Sequence, residues 1–200
     1  MAISATQVKE LRDKTGAGFM ECKAALTEAD GDINQAITIL RTKGQAKAEK
    51  RAGRSTSQGL IGHYIHQGGQ VGVIVEVNCE SDFVARTDDF QTLVKEIAMH
   101  IAAADPTCVR REEFPDDELE REQAIYRKQF EDSDKPPQVI EKIIEGKINS
   151  FYGQVVLLDQ PSIRDPKSTI GNLVTAAVAK LGENISIARF ARFKVGDTQE

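Results

Sequence analysis

With 200 residues, 40% hydrophobic and 28% charged, the chain has the makings of one ordinary domain plus a small one. Its net charge of −5 argues against a nucleic-acid carrier, and no apolar run approaches the roughly 20 residues of a membrane span. Cys22, Cys79 and Cys108 are too few and too scattered for a disulfide framework or a zinc knuckle. The first residues lack the basic-then-apolar pattern of a secretory signal, so a cytoplasmic protein with reduced thiols is expected.

Residues 1–44 read as three short helices. Ser4-x-x-Gln7 is a capping-box pattern, Val8 and Leu11 supply the first helix's apolar contacts, and Thr15–Gly18 breaks it. Phe19, Cys22, Leu26 and Ala29 then recur at spacings of three and four, which puts them on one helical face. Met20 departs from that face, either to fill a gap against the first helix or to meet a partner. Asp32-x-x-Gln35 caps a third helix with Ile33, Ala36, Ile37 and Leu40 inward, and Gly44 is expected to end it. From Gln45 the chain turns polar and basic, a short helix extension grading into a linker at Gly53–Ser57. No stacking aromatics interleave with its Lys and Arg residues, so RNA binding is not expected.

Leu60–His66 and Val71–Asn78 alternate as two strands around a Gln67-Gly-Gly-Gln70 turn. His63 and His66, three apart on a strand, point to opposite faces and do not make a metal site. Phe83 falls in the short connection after the second strand, beside Asp82. A ring there is either a staple over the strand end or an anchor offered to a partner. Asp88–Ala104 is a helix with a wide stripe of Phe90, Leu93, Val94, Ile97, Ala98 and Ile101. His100 lies off the centre of that stripe and is expected at its rim.

Residues 116–131 are densely charged with a thin apolar line of Leu119, Tyr126 and Phe130. A helix restarts at Pro136-Pro137 through Ile144, so the two form a projecting pair near 116–149. Phe151–Leu158 is aromatic and β-branched, and the chain then runs extended through Pro161 and Pro166. Thr169 caps a last helix with Ile170, Leu173, Val174, Ala177, Val178 and Leu181 at helical spacing, and Gly182 stops it. Ile185, Ile187, Ala191, Phe193 and Val195 alternate as a final strand that Arg189 interrupts. The fold class is α+β, a three-helix module and basic linker at 1–53 followed by a core at 54–200. That core holds a small antiparallel three-stranded sheet packed with helices.

Two segments carry a family resemblance. Val75-Glu-Val-Asn-Cys-Glu-Ser-Asp-Phe-Val-Ala85 closely resembles the signature of the translation elongation factor Ts family, whose usual form ends Thr-Asp-Phe-Val. Ser81 stands where Thr is usual and keeps the hydroxyl. Leu11–Leu26 resembles the family's N-terminal motif, and weaker similarity runs to Phe193. The helical module resembles a ubiquitin-associated-type fold, as in that family.

The resemblance implies a guanine-nucleotide exchange factor for elongation factor Tu. Phe83 would be an apolar wedge entering the G domain near its Mg²⁺ site, and Asp82 would disturb the polar network there. Ser81 and Val84 would hold the wedge's backbone. Phe19 and Met20 would grip the same G domain, with Phe19 replacing a commoner Met. The alternative is an adaptor that uses the helical module alone. No Gly-rich phosphate loop, nucleophile motif or metal-ligand set is present, so neither an enzyme nor a cofactor is expected. A single sheet with Ile65, Ile74 and Phe190 on its strands leaves a face needing cover. A homodimer is expected, with Phe190 or Phe193 near its centre, as the resemblance to short family members also implies.

Overall fold

The computed structural model describes residues 3–131 and 133–197; the extreme ends of the expected domain ranges lie outside them. It is an α+β fold. Helices α1 (Ala5–Thr15), α2 (Phe19–Glu28) and α3 (Ile33–Glu49) lead into the hairpin of β1 (Gln58–Ile65) and β2 (Val71–Cys79). A one-turn helix α4 (Asp82–Ala85) precedes α5 (Asp88–Ala104). Then come a 3-10 turn at Arg111–Glu113, α6 (Asp116–Lys128), α7 (Pro137–Val155), α8 (Ile170–Leu181) and β3 (Ile185–Lys194). The sheet order is β1-β2-β3, with β2 in the middle. Among the described residues no helix is long and apolar enough to cross a membrane.

The chain divides into two compact units. The first comprises the residues up to Leu60, Val77–Leu93 and Leu173–Ser186. Its N-terminal part has a core of its own: Val8, Leu11, Cys22, Ala25, Leu26, Ala29 and Ala36 are buried together, with Ile33, Ile37 and Leu40 against them. Ser4 accepts from the Gln7 amide while the Gln7 side chain accepts from the Ser4 amide, the reciprocal cap that the sequence suggested. Gly44 does not end α3, which runs on to Glu49. A Cβ on Gly44 would sit 3.2 Å from the Ala179 methyl, so the glycine serves close approach of two helices rather than termination.

The second unit comprises Ile61–Glu76, Val94–Asn172 and the chain from Ile187 on. Val73 and Val75 turn to its core, and Gly62 lets Val94 of α5 come down onto the hairpin. Phe151 and Tyr152 are helical, since α7 continues through Val155. They pack edge-on against Phe114, over the buried pair Cys108 and Val156. From α7, Lys147 reaches Gln129, the residue after α6 (2.8 Å), and lies over the Tyr126 ring of α6.

Two expectations need correction here. His100 is not at a rim but 1% exposed, because Gln160 closes over α5 from outside the helix. The alternation of β3 does not hold along its length either. Ile187 is buried, yet Arg189, two residues on, is exposed and pairs with Glu76, and Arg192 then reaches the Ala102 carbonyl on α5. Past Ile187 no side chain of β3 is fully buried, which leaves Phe193 exposed and Phe190 half-buried.

Candidate functional site

β2 carries the chain out of the sheet through Val77 and Cys79, both buried, and Ser81 converts the extended backbone into a helical turn. Its hydroxyl accepts from the Val84 amide at 3.4 Å, the N-cap bond of α4. The Ala85 amide bonds back to the Ser81 carbonyl, and the Cys79 thiol donates to the same oxygen at 3.1 Å. Burial, with the Glu183 carboxylate close by, raises the Cys79 pKa and keeps it a neutral donor. Thr87 closes the turn by donating its hydroxyl to the Val84 carbonyl at 2.7 Å.

Phe83 stands on this one-turn helix with 79% of its surface exposed. It is no staple: with most of its surface exposed, the ring is not tucked over the strand end, while its neighbours Ala85 and Phe90 are buried. Asp82 does not cap the turn, a task that falls to Ser81; it pairs with Arg86 at 2.8 Å across one helical turn. Val84 is half-buried and supplies the backbone groups that Ser81 and Thr87 bind.

Met20 is 69% exposed on the first turn of α2, away from the core. Phe19 is 48% exposed, so it does not extend the inward stripe. It is the first residue of α2 and is not part of the N-terminal core, where Cys22, Ala25 and Leu26 carry the packing of this helix. Among the described residues no ring or polar contact joins Phe83 to Phe19 or Met20. Both groups nevertheless belong to the same compact unit. Lys180 links their surroundings: its ammonium pairs with Asp89 at 2.7 Å, and its stem crosses Gly16 just before α2.

Sequence reading missed the support behind Ser81. Glu183 accepts from the Ser81 amide at 2.9 Å and from its hydroxyl at 2.6 Å. In return Glu80 accepts from the Asn184 amide at 2.6 Å, a bond that, with the Arg54 guanidinium, holds its carboxyl below the ordinary range. Asn184 donates on to the Arg54 carbonyl at 2.8 Å. The only hint in the sequence is a carboxylate directly after the glycine that stops α8.

The family model described as Elongation factor TS matches residues 2–197. The chain belongs to the elongation factor Ts family. It is 56% identical to the elongation factor Ts of Solibacter usitatus over 98% of this chain and 93% of the relative. To that of Koribacter versatilis it is 58% identical over the whole chain and 91% of the relative. The Fervidobacterium nodosum protein is 57% identical over 98% of this chain and all of its own length. The match therefore spans both compact units.

Proposed function

We propose that the protein is a guanine-nucleotide exchange factor for elongation factor Tu, and that it promotes GDP release by disturbing the Mg²⁺ and phosphate site. The observation that carries this reading is Phe83, a large ring 79% exposed on a turn held by the Ser81 and Thr87 hydroxyls. A stable protein gains nothing from such a ring unless a partner buries it. An adaptor role for the helical module alone would leave Phe83 without a use.

A GTPase holds GDP through backbone N–H groups and through Mg²⁺ bridging phosphate oxygens. A protein that binds the nucleotide-free form more tightly must, by linkage, weaken nucleotide binding by the same factor. Phe83 is the wedge in this scheme, and Asp82 competes with the polar groups around the ion. The exposed pair Phe19 and Met20 adds a second contact on the same partner, governing affinity rather than release. The reading also includes a homodimer joined through the outer face of the sheet, and treats residues 1–53 as a separable module.

The test is release of labelled GDP from elongation factor Tu with wild-type protein and with Phe83→Ala. Losing an interface anchor costs about 2 kcal/mol or more, so assisted release should slow roughly thirtyfold while the circular dichroism stays unchanged. Normal release by a folded variant would remove the wedge from the scheme.

A further inference from the structure

A single helical turn does not support itself in water, because nucleation fixes several residues for one hydrogen bond. Phe83 adds no packing to α4, and only Ala85 of its four residues is buried. The orientation of the ring must therefore be imposed from outside the turn. Every polar atom of Ser81 is engaged: the amide and hydroxyl donate to Glu183, the hydroxyl accepts from Val84, and the carbonyl takes Cys79 and Ala85. Glu183 is itself delivered by Gly182, whose φ of +78° ends α8 and turns the chain toward β3. The reciprocal bond from Asn184 to Glu80 ties the two connections together on the other side of Ser81.

We propose that Glu183 is a positioning residue for nucleotide exchange. Its carboxylate fixes Ser81, and through Ser81 the turn that presents Phe83. This rests on the wedge reading of Phe83 given above. An ionised carboxylate suits the task, since it accepts two hydrogen bonds at once and each is charge-assisted. A neutral amide accepts only one of the two in the same geometry.

The experiment compares wild type, Glu183→Gln and Glu183→Ala, each with Phe83 intact and with Phe83→Ala. Two quantities are read: amide hydrogen exchange at residues 81–86, and GDP release from elongation factor Tu at increasing factor concentration. In Glu183→Ala the amides of Val84 to Arg86 should exchange at least about tenfold faster. The maximal release rate should fall by a similar factor, with little change in the half-saturating concentration. Glu183→Gln should lie between the two and, as the milder change, serves if the alanine variant does not fold. In the Phe83→Ala background neither substitution should slow release further.

Unchanged amide exchange in residues 81–86 would overturn the proposal. So would an equal further loss in the Phe83→Ala background, which would make Glu183 a support of the fold at large. A change confined to the half-saturating concentration would also overturn it. Normal release by Phe83→Ala alone would instead sink the wedge reading, and the positioning role with it.

Discussion

Lys180 joins two distant stretches of sequence: its Nζ lies 2.7 Å from Asp89 Oδ1, while its side-chain carbons pass over Gly16. Gly16 is the left-handed residue that ends α1, with φ +67°, and Asp89 sits in the first turn of α5, directly after α4. The turn before Phe19 and the helix after Phe83 thus share one contact.

This arrangement separates backbone strain from charge. Gly16→Ala should destabilise by about 1 kcal/mol, since the left-handed conformation penalises a Cβ. Space is not the obstacle, because the added carbon would meet Lys180 at 3.5 Å, an ordinary contact. Lys180→Met keeps the stem and loses the pair, whose partners are 42% and 50% exposed, so less than about 1 kcal/mol should be lost. Urea titration of both variants gives the comparison.

Gly62 makes a sharper demand. A Cβ there would lie 2.2 Å from Val94 Cγ1 and 3.3 Å from Val75 Cγ1. Valine is stiff at χ1 and cannot swing its methyl aside. Gly62→Ala should therefore cost about 1–3 kcal/mol through overpacking. Adding Val94→Ala should return part of that loss, because it empties the space the new methyl needs. If the double variant is less stable than Gly62→Ala alone, the clash is not the cause.

His100 predicts a pH dependence. Both Gln160 amide hydrogens are directed to the Ala104 and Gln154 carbonyls, so its oxygen accepts and His100 Nε2 donates. That leaves Nδ1 buried as a lone pair without a partner among the described residues. Burial lowers the His100 pKa, only partly offset by the Gln160 bond. Protonation is thus easier unfolded than folded, so the unfolded state binds more protons below the usual value of about 6.5. The stability His100 confers is complete above that value and declines as pH falls through the depressed folded pKa. Urea unfolding between pH 5 and 7.5 should show this decline in wild type and a weaker one in His100→Gln. Equal slopes would assign the acid sensitivity to other groups.

The strongest periodicities in the sequence became elements with nearly the expected bounds. α5 and α8 each bury a continuous stripe, and the hairpin turns where its glycines fall. What failed to show depends on contacts far apart in the chain. His100 reads as a rim residue until Gln160, 60 positions on, covers it. Gly44 reads as a stop until Ala179 comes close enough to need it. At the site, the strand pattern leaves Phe83 open between staple and anchor; the resemblance points to the anchor, and the structure adds its exposure. Glu183 was not legible, since 102 residues separate it from Ser81 and a lone carboxylate after a helix carries no pattern.

The last prediction concerns the outer face of the sheet. Ile61, Ile65, Ile74, Phe193 and Val195 are all exposed, contributed by all three strands and the residue after β3. Ile65 lies over Gly72, and the Val195 amide bonds the Gln70 carbonyl, so Phe193 comes to the same end of the sheet. At the other end Arg189 and Glu76 form an ion pair at 2.8 Å. An apolar patch rimmed by charge is the usual anatomy of an interface core. A two-fold axis would lay the patch on its own copy, the simplest closed arrangement for identical chains. Phe193, at 57% exposure, is the centre of this scheme, and the half-buried Phe190 is the lesser alternative. Phe193 lies in the stretch of β3 past Ile187 where side chains are exposed or half-buried, which leaves its ring available to a partner. Phe193→Glu should then shift light-scattering mass at micromolar concentration from a dimer toward a single chain of 22.0 kDa. Because the residue is exposed in one chain, monomer stability should change by no more than about 0.5 kcal/mol. A wild-type mass already equal to one chain would sink the dimer, and a variant that stays dimeric would move the interface elsewhere.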